Sequence, residues 1–279
     1  MERRLLVFTD LDGTLLDHDD YSYAAAEPAL LALRERRVPL MLATSKTSAE
    51  VLELRRTLAN PHPFVVENGG AVHVPHGYFN YPRAPPEQTV LGVPYDRVRE
   101  VVTRERARLG LVGGLIGFGD MDAAEVHRRT GLAHEDAARA KARASTEPLS
   151  VEPGVSDTAL AAFGAALAEH GLLAKRGGRF VHVQGPVDKA AGVRFLLSCF
   201  RQQAPQVIFS TAALGDSEND LEMLQTVDYP IVIPPGPTAR KAGREALSVP
   251  RQDVIQPNEH GPAGFRKGIE ALLLRWAKE

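Results

Sequence analysis

The sequence is poor in the residues that mark out special environments. It has one cysteine, one tryptophan and four methionines in 279 residues, and aromatic side chains make up only 6%. A single cysteine, Cys199, excludes an internal disulfide framework and cannot build a cysteine metal site alone. The reducing cytoplasm is therefore the expected compartment. There is no surplus of one charge either, since 33 basic side chains meet 35 acidic ones. Dedicated nucleic-acid binders carry a basic excess, so no nucleic-acid partner is expected. Long apolar runs are missing as well. Met1-Glu2-Arg3-Arg4 leads into Leu5-Leu6-Val7-Phe8 and then into acidic residues, which leaves no signal-peptide core. The least polar stretch, residues 109–119, is glycine-rich and falls far short of the roughly 20 residues of a membrane span, so no membrane partner is expected. The nine histidines are scattered without metal-binding spacing.

What is present is enough for a substantial core. Hydrophobic residues make up 44% of the chain, and its length fits one large domain or two modest ones. Five short apolar runs, at 4–9, 38–43, 64–66, 207–210 and 229–233, have the character of strands buried on both faces. Helical stretches at 25–36, 48–58, 190–200 and 217–225 alternate with them. This predicts an α/β fold with a Rossmann-like parallel sheet and helices on both faces. Between Pro82 and Pro186 the character changes. A proline-rich opening at 82–86 is followed by helical stretches at 95–109, 135–144 and 156–171 and an alternating run at 179–184. About 100 residues cannot be a structureless loop. The expected division is a core of 1–82 and 187–279, with an inserted α/β cap domain of 83–186 and linkers near 82–86 and 185–188.

The strongest chemical signal is Asp10-Leu11-Asp12-Gly13-Thr14, directly after the first apolar run. Side chains two apart at a strand end face the same crevice, where parallel sheets bind ligands. An Asp-Gly turn closing a hairpin is the plainer alternative. Three further strings reduce its weight. The run 38–43 ends in Thr44-Ser45-Lys46-Thr47, a hydroxyl-rich strand end that an ordinary helix cap would also explain. Asp188-Lys189 opens a helix with a cation where the helix dipole disfavours one, so a nearby anion is expected. Leu214-Gly215-Asp216-Ser217-Glu218-Asn219-Asp220 places two carboxylates four residues apart, one helical turn.

In this order the four strings resemble the motifs of the haloacid dehalogenase-type phosphatases, and the string from Gly215 to Met223 resembles their sugar-phosphatase branch. Thr44-Ser45-Lys46-Thr47, Glu67-Asn68-Gly69-Gly70 and Asp188-Lys189 look most like the mannosyl-3-phosphoglycerate phosphatase group. Many members of the branch have Gly-Arg where this chain has Ser45-Lys46. The resemblance covers nearly the whole chain. It implies hydrolysis of a phosphorylated sugar acid, mannosyl-3-phosphoglycerate or its glucosyl counterpart, through an aspartyl-phosphate. In the implied roles, Asp10 is the nucleophile and Asp12 the general acid and base. Lys189 and Thr44 hold the phosphoryl oxygens. Mg²⁺ is the implied cofactor, held by Asp10, the backbone carbonyl of Asp12 and Asp216, with Asp220 acting indirectly.

A glyceryl phosphate also carries a carboxylate. The candidates to receive it are Lys46, Arg179 and the backbone amides at Asn68, Gly69 and Gly70, although the Asn-Gly-Gly string also suits a hairpin turn and Arg179 a solvated strand edge. Ser45, Gln184 and Asn219 complete the expected substrate-binding set. Other sugar phosphatases and phosphosugar mutases of the same family remain alternatives. A phospho-acceptor signalling module is more remote, because Asp12 supplies the acid/base chemistry that gives rapid turnover.

Overall fold

The computed structural model describes residues 2–177, 180–241, 243 and 245–278. The first apolar run forms β1 (Glu2–Thr9), whose side chains alternate between two cores. Leu5 and Val7 join one cluster while Leu6 and Phe8 join the other, as the two-residue period of a strand requires. A strand buried this way needs helices on both sides. After β1 come α1 (Glu27–Glu35), β2 (Leu40–Ala43), α2 (Ser48–Thr57), β3 (Phe64–Val66), β4 (Ala71–His73) and β5 (Gln88–Val90). The inserted stretch holds α3 (Tyr95–Arg108), β6 (Leu115–Gly117), α4 (Ala123–Thr130), α5 (His134–Ala140), β7 (Thr146–Val151), α6 (Asp157–Ala168), β8 (Leu173–Gly177) and β9 (Phe180–Gln184). The chain then returns through α7 (Lys189–Gln203), β10 (Val207–Gly215), α8 (Leu221–Thr226), β11 (Tyr229–Val232), α9 (Pro237–Lys241) and α10 (Gly261–Trp276).

Two sheets result. The larger has the order β11-β10-β1-β2-β3-β4-β5. Its pairings from β11 to β3 are parallel, and both pairings of β4 are antiparallel. Side chains of α1 and α10 pack on one face, and those of α7 and α8 on the other. From β1 the chain proceeds to β2 on one side, whereas β10 on the other side arrives late in the sequence. The C-terminal end of β1 is therefore a switch point, where a crevice opens in such sheets. The smaller sheet, β6-β7-β9-β8, is antiparallel throughout. Val181 and Val183 of β9 pack with α3 and α6 on one side, and Phe180 meets Phe118 and the α4/α5 pair on the other.

The first crossing between the sheets differs from the expectation. Gln88–Val90 pairs with β4, with Ala71 opposite Val90 and His73 opposite Gln88, so the chain leaves the large sheet only at 91–94. The proline-rich 82–86 lies within the β4–β5 connection, whose Tyr78 and Phe79 pack edge-on against Phe200. A three-residue edge strand with exposed ends has no apolar run to betray it. The second crossing lies at 185–188. No helix among the described residues is long and apolar enough to cross a membrane.

Candidate active site

Asp10 follows β1 directly, and its amide donates to the Leu214 carbonyl of β10 at 2.9 Å. That bond holds the residue between the two central strands, 5% exposed. Burial is the largest influence on its carboxyl, and the neighbouring charges of Asp220, Asp216 and Asp12 act in the same sense. Together they push it well above the usual carboxylate range, against the opposing pull of Lys189. Gly13 then turns the chain with φ +84°, and a Cβ there would stand 2.7 Å from Asp216 Oδ2. Only glycine meets both demands. Asp12 lies across from Lys46, with Oδ2 3.0 Å from Nζ. Its Oδ1 is buried with no hydrogen-bond partner, which leaves one oxygen of the carboxyl for a proton or a ligand.

Lys189 opens α7, where its charge needs an anion, and two are present. Nζ is 2.5 Å from Asp10 Oδ1 and 2.6 Å from Asp220 Oδ1, with the lysine side chain fully buried. Burial alone would lower its pKa, but the two carboxylates outweigh that and hold it above its ordinary value. Asp188 caps the helix by accepting from the Ala191 amide.

The expected helix at 217–225 is instead a 3-10 turn, Glu218–Asp220, followed by α8. Asp220 folds back so that Oδ2 accepts from the amides of Asp216 and Ser217, both at 3.1 Å. Asp216 and Asp220 therefore meet through this tight turn, in which Ser217 is the cap and Asp220 reaches back to its amide, and not through helical spacing.

Asp10, Asp216 and Asp220 each offer an oxygen, and these atoms all lie within 4.8 Å of one another. The donors are all oxygen, which suits a hard divalent cation. Counting Asp12, four carboxylates face the two ammonium groups of Lys46 and Lys189, an excess of negative charge that such an ion would offset. Both oxygens of Asp220 are already engaged, one by Lys189 and one by two backbone amides.

Thr44 follows β2 directly and is fully buried, and its hydroxyl accepts from the Lys46 amide at 3.2 Å. It does not cap α2. Thr47 does, in a reciprocal arrangement with Glu50. Lys46 is set over the ring of Tyr21, 5.2 Å from its centroid. Burial opposes its charge, yet Asp12 and Glu50 leave its pKa above the ordinary value.

Several expected substrate contacts are already committed within the protein. Residues 67–70 do form the β3–β4 connection, and the Asn68 and Gly70 amides donate to the carbonyls of Thr44 and Glu67. Gly69, at φ +92°, packs so closely on the Asp188 carbonyl that a Cβ would stand 1.8 Å from it. The Gln184 amide donates to the Val187 carbonyl inside the second crossing, where the residue is 1% exposed, so it faces no open substrate space. Asn219 is at the rim and donates to Asn68 Oδ1. Ser45 uses its carbonyl to receive Arg143 of the inserted unit. Arg179 lies outside the described residues. Two residues outside the expected site set join the site's surroundings. Glu67 is a fully buried carboxylate directed at 144–146, and Arg143 reaches the Ser45 loop. Partners from the far side of an insertion carry no spacing that could be read in advance.

Comparison with known proteins now decides the family. The model of haloacid dehalogenase-like hydrolases matches residues 7–90 and 175–242, which together hold all four motifs. The chain belongs to this family. The first matched segment ends at residue 90, just before the first crossing. A glucosyl-3-phosphoglycerate/mannosyl-3-phosphoglycerate phosphatase of Methanococcoides burtonii is 37% identical over 274 residues, covering 96% of this chain and 97% of the relative. A protein of the same description from Persephonella marina is 35% identical over 276 residues, with the same coverage. Among solved structures, a haloacid dehalogenase-like hydrolase from Bacteroides thetaiotaomicron superposes with a TM-score of 0.65 at 17% identity, over 97% of this chain and all of that one. The sucrose-phosphatase of Synechocystis gives 0.61 at 14% identity, over 96% of this chain and 98% of that one. These structural likenesses establish the fold.

Proposed function

We propose that this haloacid dehalogenase-like hydrolase is a phosphoric monoester hydrolase whose substrate is a 3-phosphoglycerate glycoside, mannosyl or glucosyl. The observation that carries the chemistry is the pairing of Asp10 with buried Lys189 beside Asp12, whose Oδ1 is unpartnered. The substrate class rests on the two relatives that align along almost the whole chain. Since the substrate's phosphoglycerate moiety is small and charged, the cytoplasm is the proposed location.

Asp10 must be ionised to attack, although its surroundings favour the protonated form. Lys189 offsets that penalty, at a distance suited to a charge-assisted hydrogen bond. A carboxylate oxygen of Asp10 forms a bond to phosphorus as the bond to the leaving alkoxide breaks, and Asp12 gives that alkoxide its proton. Water then attacks phosphorus, losing its proton to Asp12, and the bond to Asp10 breaks to restore the carboxylate. Lys189, buried beside Asp10, and the Thr44 hydroxyl would hold phosphoryl oxygens as charge spreads over them. The proposed cation is Mg²⁺, which Asp10, Asp216 and the Asp12 carbonyl would hold; when bound it offsets phosphate charge. Asp220 serves by orienting Lys189.

The inserted unit is proposed to select the substrate, since its Arg139 and Arg143 meet the loop that carries Thr44 to Thr47. The Arg143 guanidinium donates to the Ser45 carbonyl at 3.1 Å, and the Thr47 hydroxyl donates to the Arg139 carbonyl at 2.8 Å. Phosphate release in the presence of Mg²⁺ tests the reading, with mannosyl- and glucosyl-3-phosphoglycerate compared against sucrose phosphate and hexose phosphates. The reading expects the two glycerate esters to lead in kcat/KM. Preference for a hexose phosphate would overturn the substrate class, and no phosphate release from any ester would overturn the activity.

A further inference from the structure

The turn at 67–70 touches the second, third and fourth motifs and both parts of the chain. The amide of Glu67 donates to the Lys46 carbonyl and that of Asn68 to the Thr44 carbonyl, so the turn is fastened to the second motif. The Asn68 side chain accepts from Asn219 in the loop of the fourth motif. Gly69 rests on the Asp188 carbonyl, one residue before catalytic Lys189. The Gly70 carbonyl accepts from the amides of Leu91 and Gly92 in the first crossing.

The fifth connection is through the Glu67 side chain, which runs into the inserted unit. Its carboxylate accepts from three consecutive amides, Ala144 at 2.6 Å, Ser145 at 3.0 Å and Thr146 at 2.8 Å. The Thr146 hydroxyl adds a fourth bond at 2.8 Å. These donors stand where β7 begins, opposite Gln184 at the second crossing.

The local backbone is held out of its ordinary range to make this reach. Glu67 and Asn68 both have positive φ, 52° and 53°, a conformation that costs a non-glycine side chain energy and persists only where the surroundings enforce it. The carboxylate is fully buried, and these partners are all uncharged amides and a hydroxyl. A buried carboxylate is costly unless its hydrogen bonds are complete. Here they are complete only while 144–146 are seated against the core. Movement of the inserted unit away from the crevice would strip Glu67 of all four donors and hand it to water.

We propose that Glu67 is a positioning residue that latches the inserted unit over the active site, so that a substrate spanning core and insertion meets a closed, aligned site. Arg143 and Thr47 make the neighbouring contacts between the two parts, but each is a single bond to a carbonyl across that junction. Glu67 gathers four bonds there, one of them from the Thr146 hydroxyl, which in turn accepts from Arg143 at 3.3 Å. The latch acts on the phosphatase of the preceding section and rests on that reading. Its signature is a dependence on substrate size. A compact aryl phosphate uses the core motifs, whereas a phosphoglycerate glycoside also needs the insertion held in place.

The test compares kcat/KM for mannosyl-3-phosphoglycerate and 4-nitrophenyl phosphate in wild type, Glu67→Ala and Glu67→Gln. Hydrogen exchange is followed at the amides of 144–146. The expected result is a fall of at least tenfold in the ratio of the two kcat/KM values for Glu67→Ala, with faster exchange at those amides. Glu67→Gln retains one accepting oxygen and should lie between it and wild type. Thr146→Val removes only the hydroxyl bond and should shift the ratio in the same direction by less, which keeps the proposal testable if Glu67→Ala does not fold. Equal losses on both substrates, or an unchanged ratio in folded variants, would overturn the latch. A wild-type enzyme that releases phosphate from neither substrate would instead overturn the underlying phosphatase reading.

Discussion

Lys189 Nζ lies 2.5 Å from Asp10 Oδ1, with the lysine side chain out of contact with solvent. The two residues are 179 positions apart in sequence and are brought together because α7 returns beneath the strand end that carries Asp10. A buried ammonium in contact with a buried carboxylate is a poor stabilising device, since desolvation consumes most of the attraction. Its proposed value is to favour the charged form of Asp10, the proposed nucleophile, against the burial that raises its pKa.

Asp10→Asn should abolish turnover while leaving the fold intact, because an amide cannot form the acyl phosphate. Steady-state phosphate release, with circular dichroism to confirm folding, checks this. Retention of more than about one per cent of wild-type activity in a deamidation-free preparation would remove Asp10 as nucleophile, given the many-decade role assigned to it.

Asp216 and Asp220 should separate by function. Asp220 spends its oxygens on Lys189 and on two amides, so Asp220→Asn should lower kcat by about 10–100-fold, the scale typical of residues that orient a ligand, with the Mg²⁺ requirement little changed. Asp216→Asn should raise the Mg²⁺ concentration needed for half-maximal rate. EDTA should abolish wild-type activity, and Ca²⁺ should restore it poorly because its coordination is larger and looser. Metal titrations of both variants decide the matter, and identical midpoints would contradict the division of labour.

The sequence made much of the centre of this site legible. The first apolar run places its strand end at the crevice, and Asp10, Asp12, Asp216 and Lys189 are each identifiable from an acidic or cationic residue at the end of a strand or start of a helix. The convergence of Asp216 and Asp220 was legible as well, but for a different reason, since Asp220 folds back on the amides of Asp216 and Ser217 at a 3-10 turn. What could not be read lies where long-range packing outweighs local pattern. Gln88–Val90 is a short edge strand without an apolar run. Glu67 looks like a turn residue until its carboxylate is seen among amides 77 to 79 positions away. Gln184 looked available on an alternating strand, but the crossing into α7 buries it.

Lys46 Nζ lies 3.0 Å from Oδ2 of Asp12, the proposed general acid. Lys46→Ala should raise KM for the phosphoglycerate glycosides about ten- to a hundredfold, the worth of a charge-assisted bond of ~1.5–3 kcal/mol. The loss on a neutral aryl phosphate should be smaller. Equal losses on the two substrates would place Lys46 in the general phosphate site and not at the carboxylate.

His62 supplies a pH test away from the reacting groups. Its Nδ1 is 2.8 Å from the Tyr78 hydroxyl, and burial, followed by the charge of Arg55, depresses its pKa from 6.5 to about 4. The unfolded imidazole binds a proton more readily than the folded one. Its stabilising contribution is therefore fully present above pH 6.5 and is lost as the pH falls toward about 4. In His62→Phe the decline of Tm across that interval should be shallower than in wild type, as followed by calorimetry. An unchanged slope would mean that the histidine titrates alike in both states.

The central claim is that the phosphoryl group passes through Asp10. Rapid acid quench during turnover of mannosyl-3-phosphoglycerate, followed by proteolysis and mass spectrometry, measures this directly. The account predicts a phosphoryl adduct on the peptide containing Asp10, appearing and decaying at rates that match turnover and accumulating in Asp12→Asn if formation outpaces its hydrolysis. Full turnover with the phosphoryl group on another residue, or with no covalent adduct under conditions where breakdown is rate-limiting, would contradict it.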